Sequence, residues 1–199
     1  VVSAIYVMSV GTPEPRENYE FTTEMKWTDQ TRYIFFFQIF MLFWVNAFLM
    51  GMTQFIIGID LGTTNNVLAY CDASESGEAA NVQLLNIPQL VAANTIEEKQ
   101  SLPSFSYLAV EAEAAGGALD LPWATQRSFA TGEYARAKGA DTPDRTVGAS
   151  KSWLCHHKVD RRAPILPWNA DGDVAKISPV AAAQQYLEHL VAAWHAAFP

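Results

Sequence analysis

The pattern of apolar and polar positions changes character along the chain. Residues 1–10, VVSAIYVMSV, are mostly apolar and predict a strand. GTPEPREN, residues 11–18, reads as a turn or loop from its two prolines and its glycine. EFTTEMKWTDQTR, residues 20–32, is a polar stretch leading into a long apolar run. From Tyr33 to Ile59 no residue is charged, and in YIFFFQIFMLFWVNAFLM, residues 33–50, only Gln38 and Asn46 interrupt the apolar run. As a helix rising ~1.5 Å per residue, that run reaches about 27 Å, close to the ~30 Å hydrocarbon thickness of a bilayer. Residues 33–52 are therefore expected to form a transmembrane helix, with Tyr33 at the headgroup level. The run is too long, starts too late and lacks the small-residue cleavage site of a signal peptide.

Beyond Gly58 the polar spacing is ordinary. Apolar, β-rich runs bounded by turn residues predict strands near 54–60, 66–71 and 81–86, the first two antiparallel across a turn at Gly62. Helices are expected near 131–138 and 179–197. Ser178 is placed as the N-cap of the last helix and Pro179 at its first position. Val180, Ala183, Leu187, Leu190, Val191, Trp194 and Phe198 recur at helical spacing and mark its expected apolar stripe. His189 is read as a surface residue of that helix and Trp194 as core.

Composition narrows the function classes. The chain has 199 residues, 50% hydrophobic and 17% charged, enough to bury a core and unlike a disordered chain. Its formal net charge of -8 argues against a nucleic-acid partner, because phosphate contacts need clustered cations. Two cysteines, Cys71 and Cys155, exclude a disulfide scaffold and fit a reducing compartment. Cys155, His156 and His157 are adjacent, a spacing ill-suited to one tetrahedral ion.

The chemistry concentrates in FIIGIDLGTTNNVLAY, residues 55–70. An apolar strand ends at Asp60, Leu61-Gly62-Thr63-Thr64 forms a tight turn, and Val67–Tyr70 is apolar again. Glycine lets the main chain approach a phosphate, backbone N–H groups cradle it, and hydroxyls add donors. A carboxylate at the strand end holds Mg²⁺ through its waters while the metal bridges phosphate oxygens. An ordinary hairpin stabilised by Asp and Thr uses the same residues.

GIDLGTTN, residues 58–65, resembles the first phosphate motif of the heat-shock-70 (DnaK-type) chaperones, and divergent bacterial members look closest. Ser101–Phe105, Thr131–Ala135 and Gly148–Leu154 are similar, in the same order, to later segments of that family, and the resemblance covers residues 53–199. It implies an α/β fold: an incomplete actin-like (ribonuclease H-like) ATPase lobe, preceded by the hydrophobic transmembrane helix. It also implies ATP and Mg²⁺ as cofactors. Asp60 would hold the metal through water; Gly62, Thr63 and Thr64 would contact the phosphates; and Lys151 would be the catalytic lysine at the γ-phosphate. Asn65 departs from the aromatic residue common at that place in the family. The family's ATPase domain is much longer and closes its cleft between two lobes. The expectation is a truncated lobe, not catalytically competent alone, to which a partner chain would supply the missing half.

WTDQTRYIFFFQIFMLFWVNAFLMGMTQFIIG, residues 27–58, resembles one membrane segment of the choline-transporter-like family. The expected organisation is a polar segment 1–32, a transmembrane helix 33–52 and a partial nucleotide-binding domain 53–199. Membrane association follows if residues 33–52 span a bilayer, and a cytoplasmic location otherwise. Arg16, Lys26 and Arg32 precede the span, and the next cation is Lys99. The bias toward cationic cytoplasmic flanks puts the N-terminus inside and the ATPase-like part outside, away from cytosolic ATP. That conflict, and the Gln54–Gly58 string shared by both resemblances, point to a chimera joined there or to a reading frame extended upstream. The competing readings of function are thus a membrane-protein fragment or a joined chain with no evolved activity.

Overall fold

The computed structural model describes residues 5–9, 54–75, 80–172 and 174–199. The expected transmembrane helix, residues 33–52, and the polar segment before it lie outside the described residues, apart from 5–9. Among the described residues no helix is long and apolar enough to cross a membrane.

The chain divides into two units: residues 1–7, 58–70 and 82–199 form the first, residues 8–57 and 71–81 the second. In the second, the N–H of Ala73 donates to the Gln54 carbonyl at 2.9 Å, and the Asp72 carboxylate accepts from both the N–H and the hydroxyl of Ser74.

The strands are β1 Ile5–Ser9, β2 Phe55–Leu61, β3 Asn65–Asp72, β4 Gln83–Leu84, β5 Ile87–Ala92, β6 Thr95–Lys99, β7 Leu102–Pro103, β8 Ser106–Leu108, β9 Phe129–Thr131 and β10 Thr146–Val147. The helices are α1 Glu111–Ala115, α2 Glu133–Asp141, α3 Ser150–Leu154 and α4 Pro179–Ala197. One sheet runs β1-β2-β3-β4 with β7 also paired to β3; a second runs β10-β8-β9; β5 and β6 form a separate hairpin.

The actin-like lobe is not what these elements build. The described residues form a mixed α/β structure of small, mostly antiparallel sheets. The reason lies in the connections. The β2–β3 turn is the expected antiparallel one, but β5 and β6 are joined by a two-residue turn, too short for the crossover of a dozen or more residues that a parallel sheet needs, and among the described strands they pair with each other alone. In the β5–β6 turn Asn94 adopts φ 57°, the left-handed region that asparagine tolerates. The helices before α4 span five, nine and five residues.

β2, β3 and β4 fall where strands are expected, and α4 has the expected bounds. The β5–β6 hairpin was not expected, because its second strand, TIEEK, carries no apolar alternation and is almost wholly exposed.

One core cluster joins Leu90, Tyr107, Leu119, Leu121, Ala130, Tyr134 and Ala135. A second joins Val147, Leu166 and Ala182, with Trp153, Ile165 and Ile177 packed against it. α4 buries Ala182, Tyr186, His189, Leu190, Ala193 and Trp194. Val180 and Val191, assigned to the buried stripe, are 40% and 39% exposed. The buried face is rotated because small Ala182 and Ala193 allow close approach and His189 finds polar partners inside. His189 is thus a core residue, not a surface one.

Candidate functional site: the β2–β3 turn and Lys151

β2 alternates, with Ile57 and Ile59 buried and Asp60 exposed near its end. The chain then reverses over residues 62–64. A Cβ on Gly62 would lie 2.1 Å from the Asn65 carbonyl oxygen, far inside van der Waals contact, so the turn admits only glycine. Thr63 and Thr64 at its apex are exposed.

The turn is braced from one side by the segment around β7. Asn65 and Asn66 pair with Pro103 and Leu102. The Ser104 hydroxyl donates to the Gly62 carbonyl at 2.8 Å, and the Ser104 N–H donates to the Thr64 carbonyl at 2.9 Å. Buried Asn66 donates through Nδ2 to the Leu102 carbonyl at 3.3 Å, while its Oδ1 is buried without a hydrogen-bond partner among the described residues. These bonds fix the carbonyls of the turn and leave its hydroxyls outward in solvent.

Lys151 arrives from α3. Ala149, at φ 52°, turns the chain into that helix. Ser150 is buried and donates to the Tyr186 hydroxyl at 3.4 Å, so α3 is tied to α4. From this base Lys151 extends its Nζ to the Leu61 carbonyl at 2.5 Å. An ammonium carries three N–H donors, and this contact uses one. The ammonium therefore lies against the residue preceding Gly62, with donors to spare.

Of the residues singled out from sequence, Lys151 is brought against Leu61, the residue that precedes the Gly62–Thr64 turn. Asp60 stands near the end of β2, exposed, and its carboxylate has no hydrogen bond or ion pair among the described residues. The bracing by Ser104 and Asn66 was not foreseen; its one signal is the S-L-P-S-F string, where a polar Ser104 follows a rigid proline. Among the described residues no group of three or more His, Cys, Asp or Glu side chains converges as a metal site. Cys155, His156 and His157 are exposed, and the two imidazoles stack on each other with centroids 5.5 Å apart.

Compared with protein families, curated proteins and solved structures, the chain matches none of them. The likenesses to heat-shock-70 chaperones and to choline-transporter-like proteins therefore stand on the motif strings alone.

Proposed function

We propose that this chain binds the phosphate chain of a nucleotide, ATP with Mg²⁺, at the β2–β3 turn, as the heat-shock-70 resemblance implies. The observation that carries the reading is the contact of the Lys151 ammonium with the Leu61 carbonyl, beside a turn that only glycine can make. A cation with free donors, a glycine that lets backbone approach, and exposed hydroxyls are the donor set that a polyphosphate requires. The residues present fit the group. Lys151 offers charge to the terminal phosphate, Thr63 and Thr64 offer hydroxyls and N–H groups, and Gly62 keeps the approach open. Asp60 belongs to no carboxylate cluster among the described residues, which suits a hydrated Mg²⁺ held through its waters better than a bare ion. When bound, the nucleotide would supply a phosphoryl group whose transfer depends on charge stabilisation, and Lys151 would give it.

The proposal is binding, with little turnover by this chain alone. Titration of the chain with Mg·ATP by calorimetry is expected to give weak, saturable binding. Lys151→Ala should weaken it about tenfold, the size of one lost charge-assisted contact. Asp60→Asn should reduce its dependence on Mg²⁺. Absence of saturable binding at millimolar Mg·ATP in a folded sample would overturn the reading.

A further inference from the structure

The β5–β6 hairpin sorts its side chains onto two faces. In an antiparallel pair, residues directly opposite share a face, and the face alternates at each step along the strand. Ile87 lies opposite Lys99, Pro88 opposite Glu98 and Gln89 opposite Glu97. Ile87 and Gln89 therefore share a face with Lys99 and Glu97, and those two charges pair with each other at 2.7 Å. Pro88 and Glu98 fall on the other face. Asn86 and Gln100 lie one step beyond the Ile87–Lys99 pair, and they line the same cleft as Pro88 and Glu98, about 390 Å³ in volume.

The cleft is completed by the end of α4, where exposed Ala196 and Ala197 keep the wall low, and by Tyr70 of β3, whose hydroxyl donates to Gln83 Oε1 at 3.1 Å. Glu98 is the sole charged residue among the described residues that line it. Its carboxylate is exposed and makes no hydrogen bond or ion pair among the described residues. Lys99, the adjacent cation, is on the opposite face and is taken by Glu97. The C-terminal end of a helix carries the negative pole of its dipole, and its last carbonyls lack helical partners. α4 brings that pole to the cleft at Ala196 and Ala197.

These features favour positive charge in the cleft, whereas an anion would meet Glu98 with no lining cation to offset it. The amide oxygens of Asn86 and Gln100 add acceptors on the same face as the carboxylate. An ammonium has three N–H donors to match such a set. The methyl groups of Ala196 and Ala197 suit a methylene chain, which covers apolar surface while its charged head stays on polar groups. We propose that this cleft binds a small aliphatic amine, its ammonium on Glu98 and its methylene chain along the alanine wall of α4. The site is separate from the nucleotide reading and does not depend on it.

The test is a titration of the full chain with butylammonium chloride, followed by the backbone amide shifts in NMR. Saturable shifts are expected at Glu98, Gln100, Ala196 and Ala197, and they should weaken as salt is added, because charges near the surface are screened. Uncharged 1-butanol should give no saturable shift over the same range. Glu98→Gln should weaken the amine about fivefold, the upper end of what an exposed ion pair contributes. Glu97→Gln should leave it unchanged, since that carboxylate is on the opposite face. Both positions are exposed, so both variants should melt close to the parent. No saturable shift at millimolar amine would overturn the proposal. So would equal binding of 1-butanol, or equal loss in Glu97→Gln and Glu98→Gln, which would mark a diffuse attraction to the acidic surface.

Discussion

Gly62 and Gly132 show how single residues decide the local path. At Gly132, φ is 88°, and a Cβ would meet Gln89 Oε1 at 2.5 Å and Leu102 Cδ1 at 2.6 Å. That approach exists because buried Gln89 caps α2, accepting the Glu133 N–H at 3.1 Å while its Nε2 donates to the Ser101 carbonyl. Gly132→Ala is thus expected to cost about 1–3 kcal/mol, from left-handed strain and the displaced cap. Denaturant unfolding checks it, and a variant within about 0.5 kcal/mol of the parent would show that the cap shifts without loss. For Gly62→Ala the clash is with backbone, which cannot swing away as a side chain does. A larger loss of stability is expected there, together with loss of any Mg·ATP binding.

Among the elements, α4 is the one whose ends were plainest. Ser178 accepts the Ala181 N–H at 3.0 Å, and Pro179 occupies the first turn, where its missing N–H is no loss. Ser178→Ala should destabilise by ~1 kcal/mol, the usual worth of such a cap. On the same helix, Val191→Lys should be nearly neutral, since Val191 is partly in solvent, while Ala182→Leu should destabilise by about 1–3 kcal/mol through overpacking. Thermal melts of the three variants give the order Val191→Lys, Ser178→Ala, Ala182→Leu; a reversed order would mean that the helix face is assigned wrongly. α2 depends on its surroundings. Its Lys138 reaches the Glu113 carboxylate at 3.2 Å and stands over the Tyr107 ring, while the Tyr107 hydroxyl donates to the same carboxylate at 2.5 Å. Burial, and then Glu113, push Tyr107 up to about 12. Burial alone would raise Glu113, but the Tyr107 and Lys138 contacts outweigh it and hold it below its usual value.

At the scale of the whole molecule, His189 and Glu113 are expected to lower stability in acid. Burial pushes His189 down to about 4, against a weaker opposing pull from its bond to Pro88. The neutral ring fits its partners: Nε2–H donates to the Pro88 carbonyl, and Nδ1 accepts from the Thr131 hydroxyl. The unfolded chain takes up this proton near pH 6.5 and the folded chain only near pH 4, so the contribution is whole above pH 6.5 and fades down to about pH 4. The loss amounts to roughly 3 kcal/mol. Glu113, whose folded value is depressed, adds a further loss below its ordinary value of 4.5. Urea unfolding from pH 7 to pH 4 should therefore show falling stability, and His189→Gln should flatten that slope while lowering stability at pH 7. An unchanged slope would place the acid sensitivity elsewhere.

The sequence by itself determined the local events. The α4 caps, the Gly62 turn and the strands on either side depend on residues close in the chain, and their chemistry is short-ranged. Such short-ranged signals do not reach the hydrogen-bond partner of Lys151. The Leu61 carbonyl is 90 positions away, and only the packing of α3 against α4 carries the ammonium there. Tertiary structure also decided the burial of His189, because an imidazole enters a core only where distant Thr131 and Pro88 satisfy both nitrogens. It decided the fold class as well. A motif string fixes one hairpin, but whether the next strand returns parallel or antiparallel depends on the length and packing of each connection, and here short turns make small antiparallel sheets.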